Sequence, residues 1–244
     1  MTDQQLKLGI LDCDVLHESL RPLYASYAHM MQTLFMQVAP SINFSVYPVI
    51  EGVYPEDVDE CDGYIITGSK SSAYDNDEWI GALRNYVRTL ASQNKKMVGI
   101  CFGHQLLAHV LGGITQKSEN GWGLGVKSSN VLATPEWMQP AMASFSLLVS
   151  HQDQVVQLPS SAIVIASSDY CPNAAFQLGD NVLGFQGHPE FNRGYSRKLM
   201  EMRKDTIPEE VIEKAQATLF DDTDHLVIAQ WIVNFFNQPV ISPE

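Results

Sequence analysis

Basic residues are scarce. The 244 residues hold 15 Lys and Arg against 28 Asp and Glu, a formal charge of −13 with histidine neutral. A chain of that sign repels phosphate at long range, so nucleic acid and anionic membrane surfaces are not expected partners. Charged residues are few altogether, 18 %, beside 45 % apolar ones, which rules out a disordered tail and suffices for a large core. Cysteine is sparse as well: Cys13, Cys61, Cys101 and Cys171 lie tens of residues apart with no C-x-x-C pair, so they read as reduced thiols, not a disulfide framework. No apolar run approaches a membrane span, and Met1 to Ile10, which carries Asp3 and Lys7, has no signal-peptide core. The expected location is therefore cytoplasmic. H-E-x-x-H is absent, and His104 and His109 are five apart, off a shared helical face, so no metal is expected.

The charge is also uneven. Residues 1–62 hold ten acids and two bases, residues 63–200 nine and ten, and residues 201–244 nine and three. The acidic ends read as solvated faces, and the middle is nearly neutral.

Short apolar runs alternate with segments of helical period, the pattern of a parallel sheet covered on both faces. Strands are expected at Lys7–Asp12, Asn43–Val49, Gly63–Thr67 and Met97–Cys101. Between the first two, Leu23, Tyr27, Met30, Leu34 and Val38 form one helical stripe over Leu20–Val38; later Trp79, Leu83, Tyr86, Val87 and Leu90 form another. After Gly112-Gly113 the runs shorten: Trp122–Leu132, Phe145–Val149, Ala162–Ala166 and Ala174–Gln177 read as strands, with a hairpin turn at Gly179-Asp180-Asn181. Helices return at Gly194–Arg203, Pro208–Leu219 and Asp224–Asn237, the last with Leu226, Ile228, Ile232, Val233 and Phe236 for burial. The four tryptophans, Trp79, Trp122, Trp137 and Trp231, read as core.

Met97 to Gly113 is the most informative segment: M-V-G-I-C-F-G-H-Q-L-L-A-H-V-L-G-G. A strand ends at Cys101, glycines flank it at 99 and 103, and an amphipathic helix begins at once. This G-x-C-x-G is the cysteine counterpart of the nucleophile elbow, where a sharp turn lifts the nucleophile out of the sheet and glycines remove obstructing Cβ atoms. A thiol at a helix N-terminus meets the positive end of the macrodipole, which favours the thiolate, and the Phe102 N–H is placed to receive an oxyanion.

A cysteine nucleophile needs an imidazole. His17, His29, His109 and His225 have no acidic partner at useful spacing, whereas His188, in G-F-Q-G-H-P-E-F (184–191), has Glu190 two positions on. In an extended segment His188 and Glu190 project to one side, so the carboxylate can hold one ring nitrogen and leave the other facing the thiol. The residues alone thus point to a Cys101, His188, Glu190 triad.

G-I-C-F-G-H-Q and G-H-P-E together resemble the class I, or triad, glutamine amidotransferases, and so do I-I-T-G-S-K-S-S-A-Y-D (65–75) and S-H-Q-D-Q-V (150–155). The likeness covers about residues 6–195 and is strongest to stand-alone, GMP-synthase-like members. It implies Cys101 as nucleophile, His188 as general base and acid, Glu190 as orienter, an oxyanion loop at Gly68 and Ser69 with the Phe102 amide, and glutamine-binding positions at Gln105, Ser150, His151, Gln152 and Asp153. Many members have G-G-P where this chain has Gly68-Ser69-Lys70; Lys70 and His104 receive no role. The expected fold is α/β: a flavodoxin-like three-layer sandwich with a mostly parallel sheet, added antiparallel strands and C-terminal helices. Residues 1–244 are expected to form a single domain, with residues 196–244 as a helical extension. The implied activity is hydrolysis of the glutamine side-chain amide through a γ-glutamyl thioester, with no cofactor. The 244 residues contain no Walker A or S-G-G-x-D-S nucleotide loop, so ammonia is expected to pass to a separate synthetase or acceptor subunit. The alternatives are a γ-glutamyl peptidase using the same triad, and a thiol sensor in which Cys101 is oxidised reversibly. A sensor would need neither base nor orienter.

Overall fold

Strand faces follow the period-2 alternation of apolar side chains. The computed structural model describes residues 5–239. In β1 (Lys7–Asp12), Leu8 and Ile10 point to one face and Leu11 to the other. β3 (Gly63–Ile66) and β4 (Lys96–Ile100) divide likewise: Ile65, Val98 and Ile100 join Leu8 and Ile10, while Tyr64, Ile66 and Met97 join Leu11. α2 (Tyr27–Phe35) and α7 (His225–Asn237) cover the first face, and α3 (Glu78–Ser92) and α4 (Phe102–Val110) the second. The result is three layers, helix, sheet and helix.

With β2 (Asn43–Pro48) and β11 (Val182–Phe185), these strands pair in parallel in the order β2-β1-β3-β4-β11. In chain order within this half that is 2-1-3-4-5, the flavodoxin-like arrangement, whose sites lie outside the carboxyl ends of the strands. Beyond β11 the sheet continues antiparallel through β10 (Ala175–Leu178), β9 (Ala162–Ser167), β6 (Gly123–Val131) and β7 (Ser144–His151), nine strands in all. Gly179, with φ +57°, lies in the loop of the β10–β11 hairpin, as its turn residues predicted. α5 (Arg193–Met202) and α6 (Glu209–Thr218) pack on the β6–β7 hairpin through Leu199, Ile212 and Ala215 against Leu124, Val126 and Leu148.

The structure departs from the sequence expectation in several places. The stripe over Leu20–Val38 is two helices, α1 (Arg21–Tyr24) and α2, because Ala25 turns left-handed at φ +56° and Ser26 caps a new start, its Oγ accepting from the His29 N–H at 3.0 Å. Leu23, counted in that stripe, is 64 % exposed. Leu226 is also exposed, while Phe235 joins the expected Trp231 in the core. A second, two-stranded sheet of β5 (Ile114–Lys117) and β8 (Asp153–Gln157) had no sequence signal, since β5 buries only Thr115.

Candidate active site

Three consecutive parallel strands deliver the site. The segment after β3 carries Gly68 and Ser69, Cys101 follows β4, and His188 lies three residues past β11. Cys101 sits at φ +52°, ψ −99°, a conformation that L residues avoid and that the surrounding structure imposes. Its N–H donates to the Phe185 carbonyl at 2.9 Å, and its own carbonyl accepts from Gln105 N–H at 3.0 Å, so the residue ends the sheet and opens α4 in one step. Both flanking glycines are required by space. A Cβ on Gly99 would lie 2.4 Å from the Gly103 carbonyl carbon, and one on Gly103 would lie 2.3 Å from the Ile66 oxygen.

His188 is anchored by its N–H donating to the Leu148 carbonyl at 2.8 Å, a single bridge to β7. The expected extended segment holds only there: Pro189 and Glu190 form a turn, and this turn brings the carboxylate back to the ring. His188 Nδ1 donates to Glu190 Oε1 at 2.7 Å, and the Phe191 ring stacks on the imidazole at 3.7 Å and 8°. The ring is 3 % exposed and Glu190 6 %. Burial alone would push His188 down, but the Glu190 carboxylate and the neighbouring Cys101 sulfur more than reverse it, so its proton is held well above the usual imidazole range. Gly68 backs this arrangement, because a Cβ there would lie 2.9 Å from His188 Cε1.

In front of Cys101 lies an open cavity of about 250 Å³. Ser69, Gln105, Ser150, His151, Gln152 and Asp153 all line it with Cys101, whereas Phe102, His188 and Glu190 are buried outside its lining. The segment expected to be a binding loop is a strand-to-strand step: Ser150 and His151 end β7, Gln152 bends, and Asp153 starts β8. Several of its polar groups already have partners. Gln105 Nε2 and His151 Nδ1 both donate to the Asp153 carbonyl, at 2.8 and 2.9 Å. The Asp153 carboxylate accepts from Ser72 Oγ at 2.5 Å and Tyr74 hydroxyl at 3.2 Å. Burial pushes the His151 ring down to about 4 and that of His104, which lies against Phe176, down to about 3, so both stay neutral. Among the described residues no group of three or more His, Cys, Asp or Glu is placed to hold a metal.

Sequence reasoning missed several residues here. Asp14 tethers the loop after β3, accepting from the Lys70 N–H at 2.9 Å and from Lys70 Nζ at 3.0 Å. Trp122, read as core, is half-buried and lines the cavity, with the Arg203 guanidinium 5.5 Å from its ring centroid. Arg203 Nη1 donates to Ser150 Oγ at 2.8 Å. No motif marks either position, because tertiary packing of the end of α5 against the β6–β7 hairpin brings them together.

Comparison with known proteins gives the chain a family and relatives. The chain is 29 % identical to gamma-glutamyl peptidase 3 of Arabidopsis thaliana over 88 % of its length and 89 % of that protein. It is 32 % identical to one subunit of the glutamine-hydrolyzing GMP synthase of Sulfolobus acidocaldarius, over 62 % of this chain and 78 % of the relative. A glutamine amidotransferase crystal structure from Thermotoga maritima superposes with a TM-score of 0.74 at 18 % identity, covering 96 % of this chain and 99 % of that one, which establishes the fold. Residues 23–204 match the family model for class-I glutamine amidotransferase, so the chain belongs to that family and is one of its enzymes.

Proposed function

We propose that this chain hydrolyses γ-glutamyl amides through a thioester on Cys101. The observation that carries this reading is the buried imidazole that Glu190 holds at 2.7 Å, near enough to Cys101 for the sulfur to raise its pKa, behind an open cavity that Cys101 lines. The thiolate attacks the γ-carbonyl carbon, and the oxygen gains charge against the backbone N–H groups of Ser69 and Phe102. As the C–N bond breaks, His188 gives its proton to the leaving nitrogen, while Glu190 holds Nδ1 and with it the orientation of the ring. Water then attacks the thioester, His188 takes its proton, and glutamate leaves.

Glutamine is the smallest such substrate. With it the leaving group is ammonia, handed to an acceptor on a separate chain. A second reading, a γ-glutamyl peptide whose leaving group is an amino acid or peptide, is favoured by the names of the relatives and by a cavity open beyond Cys101. The cytoplasmic location belongs to the proposal too and rests on four unpaired thiols.

Glutamate release from glutamine and from γ-glutamyl-glycine, by the chain and by Cys101→Ala, tests the reading. Release from at least one substrate that falls to background in the variant is expected. Release that survives in Cys101→Ala would contradict it.

A further inference from the structure

The cavity is basic in an acidic protein. Of the 15 Lys and Arg in a chain of charge −13, Lys70, Lys117 and Arg203 stand at this one opening, against a single acid, Asp153, whose two carboxylate oxygens already accept from Ser72 and Tyr74. Lys70 is paired with Asp14. Among the described residues neither Lys117 nor Arg203 is in an ion pair. Arg203 is nevertheless held in place. Its Nη1 is bonded to Ser150, its guanidinium lies over Trp122, and its backbone carbonyl accepts from the Thr206 and Ile207 N–H groups at 2.9 and 3.0 Å. A guanidinium carries five N–H donors, and Arg203 spends one on a side chain. A fixed fork with donors to spare, on the wall of the cavity that holds the nucleophile, is suited to a planar carboxylate.

We infer that Arg203, assisted by Lys117, recognises a free carboxylate on the amine side of the scissile bond, so that the preferred substrate is a γ-glutamyl peptide whose leaving residue ends in an acid. This rests on the peptide reading above. Glutamine offers no such group, since its leaving nitrogen departs as ammonia. With γ-glutamyl-glycine the Cys101 sulfur forms the thioester bond as the C–N bond breaks, the nitrogen takes its proton from His188, and glycine leaves with its carboxylate on the arginine. Water completes the turnover to glutamate.

The test compares γ-glutamyl-glycine with γ-glutamyl-glycinamide, and γ-glutamyl-alanyl-glycine with its amide, alongside glutamine. The expected acid-over-amide preference in kcat/KM is about tenfold or more in at least one pair, the size of a hydrogen-bonded charge contact. Arg203→Gln collapses that ratio toward one, Arg203→Lys keeps part of it, and Lys117→Glu, at an exposed position, lowers it without touching the fold. Both members of each pair cleaved equally by the parent chain, or a preference that persists in Arg203→Gln and Lys117→Glu, would overturn the inference and leave the peptide reading standing. Equal losses on glutamine, acid and amide in Arg203→Gln would place the arginine at the glutamyl end and overturn it as well. Turnover of glutamine alone, with no peptide cleaved, would remove the peptide reading and this inference with it.

Discussion

Burial and charge act in opposite directions on the His188 ring, and charge wins because Glu190 lies 2.7 Å from Nδ1 in a site with almost no water to screen it. Glu190→Gln leaves burial unopposed by the carboxylate, so the ring loses its proton at lower pH. The alkaline limb of the kcat/KM profile is then expected to move down, with turnover reduced by about 10²–10⁴-fold. His151 and His104, held at about 4 and 3, are already neutral there and cannot produce the shift. An alkaline limb that stays where it was would show that the carboxylate does not govern this proton. Stability carries the same signature. A raised folded-state pKa contributes stability that is fully present below the unfolded value of about 6.5 and is lost as pH rises through the folded one. Glu190→Gln should therefore flatten the fall in stability across that window, read from urea midpoints at several pH values. The pairing of His188 with Glu190 was legible because only Pro189 separates them. Arg203 and Trp122 were not, since nothing local fixes a meeting between positions 81 apart in sequence.

At the scale of the element, the β4–α4 turn is built by the absence of side chains. Gly103→Ala would drive a methyl into the Ile66 carbonyl, a backbone atom that cannot swing aside, and is expected to cost about 1–3 kcal/mol or more in chemical denaturation. Gly81 is the control: it lies inside α3, a Cβ there meets nothing within 4 Å, and Gly81→Ala should stabilise by about 0.5–1 kcal/mol. Equal responses at the two sites would refute the close-approach argument. The elbow could be read from the sequence because its physics is local: two glycines, a thiol and a helix onset within five residues. The break at Ala25 could not, because the apolar stripe runs through it, and the only local cue was Ser26, a good cap anywhere. β5 was invisible for another reason, with one buried residue in four and no period to detect.

On the scale of the whole molecule, the C-terminal helix is part of the core that holds β4 in place. Ile228, Trp231, Ile232 and Phe235 pack in the same cluster as Leu8, Ile10, Val98 and Ile100, and the buried Lys96 at the start of β4 donates to carbonyls at the end of α7. Trp231→Ala is therefore expected to cost about 3–5 kcal/mol, seen as a lower denaturant midpoint. A loss under about 1 kcal/mol would mean that α7 is an accessory. The acidic surface fits the same picture, since it leaves the cations at the cavity as a local exception that an anionic substrate can sense at short range. Overall charge was plain from composition, but its inversion at one opening depends on folding.

The central claim is covalent: a γ-glutamyl group resides on Cys101 during turnover. Acid quenching of the chain during steady-state hydrolysis of its better substrate, followed by intact-mass and peptide analysis, tests it directly. One added glutamyl acyl group is expected, mapped to the peptide containing Cys101, sensitive to hydroxylamine and absent from Cys101→Ala. Sustained glutamate release with no adduct at that residue, or an adduct that persists in the variant, would contradict it.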